Sequence, residues 1–274
     1  DTITVEAGTN LWDLDALLKR YGYELPVKNG GWSGPTVGGF IAAGGISPTQ
    51  QKDDGFWNYV REITCLSIDA EKMVLTRQDP LFAYLFGASG QLGLIASIKL
   101  DITPLNASLV SYPLDVSGQV PQFYSRATPF KDSQFLTWFC CFGAVEKASE
   151  MRSALEIFFK GHQMLFNKTE VQIYHFKHRD LHVPLLYDSR DDFAGVEIRG
   201  LQPLTESQSP KLLELVESYT KMVEDAGYQH YSQVELTAMP TCSVSSLSPQ
   251  TQETFFRLKK TLDPQNRMNA PAFK

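Results

Sequence analysis

The sequence has few cysteines, few histidines and no long apolar run. Four cysteines, Cys65, Cys140, Cys141 and Cys242, scattered over 274 residues exclude a disulfide framework as the basis of the fold, because a chain of this length buries an adequate core without staples. Free thiols are expected. No stretch approaches the roughly 18 consecutive apolar residues of a membrane span, and the first twenty residues do not read as a basic-then-apolar leader. An excess of positive charge is also missing: 25 Lys and Arg stand against 31 Asp and Glu, for a net charge of −6. Affinity resting on phosphate neutralisation is therefore not expected, nor is nucleic acid as a partner. Asn106-Ala107-Ser108 and Asn167-Lys168-Thr169 fit the glycosylation sequon, but at a frequency that chance explains, so the cytoplasm is favoured and the compartment stays open. What is present, 43% apolar and 20% charged residues, describes a globular chain of one large or two smaller domains.

Residues 2–7 alternate as a strand does. Gly8-Thr9-Asn10 then supplies a turn and capping oxygens ahead of Leu11, Leu14, Leu17 and Leu18, whose spacing predicts a helix ending at Gly22. Asp1 leads straight into this strand with no initiator methionine, so a preceding segment is expected. Between Val27 and Thr49 seven glycines (30, 31, 34, 38, 39, 44 and 45) sit among small residues, and both helix and strand propensity are poor. A backbone with so few Cβ atoms suits close approach to a flat or anionic group. A mobile glycine linker is the alternative, opposed by the interleaved Trp32, Val37, Phe40 and Ile41. Strands follow at 60–69 and 72–76, then a short helix from Pro80 to Phe86 and a strand over 94–100. Gly87, Gly90 and Gly93 run into a strand, the reverse of a Rossmann glycine turn, which leaves a strand to open a helix. That fold is excluded.

Past Thr103-Pro104 the pattern changes to aromatic-rich strands near 107–116, 134–142, 169–177, 194–200 and 229–238, with helices near 146–165 and 209–226 and a last helix from Pro249 to Leu262. This is an α+β layout, an antiparallel sheet covered on one face by helices. Glu197 and Arg199 alternate along one strand and share a face, where they present a carboxylate and a guanidinium. An ion pair on a solvated sheet face is the alternative. Gln172, Tyr174 and His175 on one strand and Tyr231, Gln233 and Glu235 on another offer polar rows, with Tyr174 and Tyr231 as candidate proton donors or shape-setters. His175, His178 and His182 have helical metal-ligand offsets, but Lys177, Arg179 and Pro184 break that pattern, and no metal is expected. Cys140 and Cys141 are adjacent on a strand and should pack on opposite faces rather than form a redox pair.

Val5-Glu6-Ala7-Gly8, Leu11-Trp12-Asp13-Leu14, Pro35-Thr36-Val37-Gly38-Gly39, Ala43-Gly44-Gly45-Ile46-Ser47, Gly55-Phe56-Trp57-Asn58-Tyr59-Val60 and Gly90-Gln91-Leu92-Gly93-Leu94-Ile95 occur in this order. Together they resemble the FAD-binding domain of the vanillyl-alcohol oxidase and p-cresol methylhydroxylase flavoproteins, with glycine motifs most similar to those of cytokinin dehydrogenases. The resemblance covers residues 3 to about 104. It implies the second lobe of a flavin-binding domain over 1–104, a substrate cap over 105–247, and a C-terminal helix over 248–274 that returns to the flavin lobe. The other lobe would come from a preceding segment or a second chain. FAD would be held by Pro35, Thr36, Val37, Gly38, Gly39, Gly44, Gly45, Ser47, Asn58, Gly93, Ile95 and Asn269. A Glu-x-Arg pair similar to Glu197 and Arg199 meets substrate hydroxyls in alditol and aldonolactone oxidases of this family. The implied function is FAD-dependent oxidation of a small alcohol or amine by hydride transfer to flavin N5, with oxygen or another acceptor reoxidising the flavin. The alternative is a flavin-free or truncated relative that serves as a binding module.

Overall fold

The computed structural model describes residues 1–27, 34–46, 55–105, 134–161, 169–203, 209–231 and 247–268. Strand β1 (Thr2–Glu6) opens the chain, and α1 (Leu11–Arg20) follows once Asn10 caps it by accepting from the N–H groups of Trp12 and Asp13. Leu11, Leu14 and Leu18 form its buried stripe, while Lys19 and Arg20 sit in the last turn, where positive charge suits the helix dipole. The two-residue strand β2 (Tyr23–Glu24) comes next.

The glycine-rich segment departs from its propensity. Val37–Ala42 form a short helix, α2, with the Thr36 hydroxyl accepting from the Gly39 N–H at 3.1 Å. Burial outweighs intrinsic preference here. Val37, Phe40 and Ile41 are all in the core, and Gly38 lies so close to β1 that a Cβ on it would come within 2.7 Å of the Ala7 Cβ.

A 3-10 turn, Phe56–Tyr59, leads into β3 (Val60–Leu66), then β4 (Lys72–Thr76), α3 (Pro80–Tyr84), β5 (Leu94–Asp101) and β6 (Thr103–Pro104). The first sheet has the order β1-β5-β3-β4 with every pair antiparallel, and β6 pairs with β2, which ties the chain back to this unit through residue 104.

The second sheet is assembled from β7 (Gln134–Ala144), β8 (Thr169–Phe176), β9 (Phe193–Pro203) and β10 (Gln229–His230) in the order β10-β7-β9-β8, again antiparallel throughout. Helices α4 (Ala148–Lys160) and α5 (Ser209–Asp225) lie on one face. There Phe139, Cys141, Ala194, Val196 and Ile198 pack with Met151, Leu155, Phe159, Tyr219 and Val223. The alternate residues Cys140, Phe142, Phe176 and Phe193 point the other way, into the core shared with the first sheet. Cys140 and Cys141 are thus buried on opposite faces, and both are free thiols. Helix α6 (Pro249–Leu262), capped by Ser248, buries Phe255 in the shared core. The architecture is α+β. The strand expected at 107–116 lies outside the described residues, as does the part of the 229–238 strand beyond Tyr231.

Candidate functional site

Strand register assembles a row of side chains across the inward face of the second sheet. Glu197 on β9 is paired with Gln172 on β8 and with Cys140 on β7, and the Tyr231 N–H donates to the Cys140 carbonyl at 3.0 Å. Side chains at directly paired positions share a face, so Gln172, Glu197, Cys140 and Tyr231 form one lateral line. Glu197 is 1% exposed. A carboxylate so far from water must be matched by hydrogen bonds, and the Tyr174 hydroxyl, one row along, donates to Glu197 Oε1 at 3.0 Å. The same hydroxyl meets the Gln172 carboxamide. The phenol oxygen thus stands between the Gln172 carboxamide and the Glu197 carboxylate.

Aromatic rings wall this row from solvent and join it to the first unit. Phe142 meets Phe193 edge-on at 5.5 Å and Tyr231 at 5.8 Å, and Trp57 stacks on Phe193 at 6.1 Å. Tyr231 also reaches the glycine segment. Gly44 has φ +119°, and a Cβ there would lie 2.3 Å from the Leu186 Cδ2 and 3.3 Å from the Tyr231 Cε2, so a second-sheet tyrosine and the loop after β8 rest directly on it. Asn58 Nδ2 donates to the Lys177 carbonyl at 2.9 Å, another bond between the units. The turn carrying Asn58 is held by Arg77, which donates to the carbonyls of Trp57, Asn58 and Val60.

Of the candidate cofactor residues, those from Pro35 to Gly45 lie in the glycine segment itself. The Pro35 carbonyl accepts from Leu11 N–H. Val37 N–H donates to Thr9 O, Gly38 to Ala7 O, Gly39 to the Thr36 hydroxyl, Gly44 to Ile41 O and Gly45 to Phe40 O. These amides serve the fold. Gly93 (φ +147°) abuts the Cys65 thiol, and Ile95 pairs with Cys65 between β5 and β3. Ser47, Asn269 and the Arg199 side chain lie outside the described residues; the Arg199 backbone pairs with Trp138 and Glu170.

Two buried donors have no acceptor among the described residues, Trp57 Nε1 and Gln91 Nε2. A flavin dinucleotide is rich in acceptors, namely ring carbonyls, ring nitrogens and phosphate oxygens, which is the chemistry an unpaired N–H calls for. Sequence reasoning did not single out either side chain. Both stand inside glycine-bounded segments that carry the flavoprotein resemblance, and that was the available signal.

Two further groups, His178 and Asp263, have shifted proton affinities. Burial pushes the His178 imidazole down to about 4, helped by neighbouring His182, whose ring lies 4.9 Å away. His175 is exposed on β8, and among the described residues no group of three or more His, Cys, Asp or Glu is placed to hold a metal ion. In α6, Lys259 Nζ donates to Asp263 Oδ2 at 2.7 Å, to Met268 O at 2.7 Å and to Gln91 O at 3.1 Å. Burial acts to raise the Asp263 carboxyl, but Lys259 and the N–H groups of Arg267 and Met268 outweigh it and hold the group at about 2.

No helix among the described residues is long and apolar enough to cross a membrane. No curated protein matches the sequence significantly. Residues 1–75 match the FAD binding domain family, which supports FAD as the cofactor and an FAD-linked oxidoreductase as the general class of this chain.

Proposed function

We propose that the chain forms the flavin-binding and substrate-covering parts of an FAD-dependent oxidoreductase acting on a small alcohol or amine. In this reading 1–104 is the second flavin lobe, 105–247 the substrate cap and 248–274 the return to the flavin lobe, with a further segment or second chain completing the site. The observation that carries the proposal is the row Gln172, Glu197, Cys140 and Tyr231, with the last three buried, on the sheet face turned toward the first unit. A buried carboxylate aligned by a phenol is a candidate base.

FAD, when bound, supplies the oxidation by taking a hydride from a substrate C–H at N5 and passing the electrons to oxygen or another acceptor. Gln91 and Trp57 offer it hydrogen bonds. Glu197 takes the hydroxyl or amine proton of the substrate. Tyr174 holds the carboxylate in position, and the rings of Phe142, Phe193 and Tyr231 keep water from it. Arg199, two residues along β9, is the proposed partner for substrate hydroxyls.

Glu197→Gln tests this in protein carrying its flavin. The expected result is an unchanged flavin absorption spectrum with substrate-driven flavin reduction slowed by about 100-fold or more. Reduction at the rate of the unsubstituted protein overturns the role of Glu197. A second reading, a flavin-free binding module, is favoured by the internal bonds of the glycine-segment amides and by the Leu186 side chain lying over Gly44. It predicts a colourless protein that takes up no added FAD.

A further inference from the structure

Gln91 is anomalous for a buried polar residue. It is 2% exposed, yet its Nε2 meets no acceptor among the described residues. Buried donors are nearly always paired, and one that is not destabilises the fold unless a missing partner completes it. Other buried hydroxyls have such partners: Tyr219 lies against the Cys141 thiol, and Tyr228 against Glu150. Gln91 has none.

Its backbone is held firmly all the same. The Gln91 N–H donates to Ala88 O, and its carbonyl accepts from Lys259, which is locked by Asp263. The turn before it is strapped to the end of α2, with Gly87 N–H donating to Ile41 O and Ser89 N–H to Ala42 O. A rigid main chain thus carries a carboxamide whose N–H has no acceptor among the described residues, two positions past the contact of Ser89 with Ala42. Rigid support around an unpaired donor is what a preorganised ligand contact requires.

We propose that Gln91 is a ligand-binding residue whose Nε2 donates to an acceptor oxygen or ring nitrogen of the bound dinucleotide. The proposal deepens the flavin reading and rests on it. The acceptor chemistry is common to both halves of FAD, the flavin with its ribityl phosphate and the adenosine phosphate.

The test replaces Gln91 with Met, which is close in volume and has no N–H, with Gln91→Leu measured alongside. Thermal unfolding is followed without ligand and with FAD, FMN or ADP, and affinities are taken from flavin fluorescence quenching and from the ligand-induced shift in Tm. The expected result is ligand-free stability equal to or above that of the unsubstituted protein, because an unpaired buried donor has been removed. FAD binding should weaken about tenfold, and whichever of FMN and ADP shares the loss locates the acceptor. A ligand-free Tm that falls in both variants while FAD affinity is unchanged assigns Gln91 to the fold alone and overturns the proposal. An FAD affinity unchanged at any stability also overturns it. Failure of the unsubstituted protein to respond to FAD is a different outcome, which sinks the flavin reading itself and this proposal with it.

Discussion

Lys259→Met would remove the ammonium at the centre of the α6 junction. Lys259 Nζ serves three acceptors at once, the Asp263 carboxylate, Met268 O and Gln91 O, and the side chain of Asp263 is fully buried. Methionine fills much of the same volume, so little of the loss would come from packing. The Asp263 carboxylate would keep the N–H groups of Arg267 and Met268 but lose its counter-ion. Breaking one side of a buried pair costs about 3–5 kcal/mol, and the Gln91 carbonyl left without its donor adds about 1 kcal/mol. Since about 1 kcal/mol moves Tm by roughly 2–4 °C in a chain of this size, a fall of roughly 8 °C or more is expected.

The pH profile supplies a second signature. Asp263 is held at about 2, below its ordinary 3.8, so the stabilisation is complete above pH 4 and is lost as pH falls toward 2. Lys259→Met should flatten that acid-side slope, and Lys259→Met with Asp263→Asn should recover part of the lost stability. Urea unfolding followed by circular dichroism between pH 2 and 7 measures all three. A Lys259→Met protein within about 1 kcal/mol of the parent at pH 7, with the same acid slope, would refute the argument.

Gly44→Ala forces a side chain onto a backbone at φ +119° and into the Leu186 methyl, so a loss of about 2–4 kcal/mol is expected in urea unfolding, against near zero for Gly8→Ala, where a Cβ meets nothing within 4 Å. Tyr174→Phe takes a donor from the buried Glu197 carboxylate and should cost about 1–3 kcal/mol, a loss that Glu197→Gln in the same chain reduces in a double-mutant cycle. His178, held at about 4 against an ordinary 6.5, stays neutral in the folded protein while the unfolded chain takes up its proton. Stability should therefore decline as pH falls from 6.5 to 4, by about 1–2 kcal/mol after allowance for solvent screening, and His178→Phe should remove that decline in equilibrium unfolding.

Much of the fold was legible because its signals are local. Leucine spacing and the Asn10 cap marked α1, and the alternation of residues 2–7 marked β1. Pro249 behind Ser248 marked the start of α6. Cys140 and Cys141 were assignable to opposite faces because a strand has a period of two, whatever it pairs with. The glycine segment misled for the same reason. Propensity is a local quantity, and α2 exists because Val37, Phe40 and Ile41 are buried by residues distant in sequence.

By itself the sequence determined the α+β class, the longer helices and strands in their order, and the pairing of a glycine-rich segment with a flavoprotein resemblance. Tertiary structure alone decided what those pieces do together. Only strand register could set Gln172, Glu197, Cys140 and Tyr231 in one line, because three come from different strands and the fourth follows β10, and nothing in their spacing encodes which will be neighbours. Only packing could show that the glycine amides turn inward, that Tyr231 rests on Gly44, and that Lys259 in the last helix holds the carbonyl of Gln91, 168 residues earlier. Hydrogen-bond satisfaction belongs to the closed core. It is a property of atoms brought into contact from far along the chain, and that is why Gln91 could be recognised as lacking a partner only once everything around it was in place.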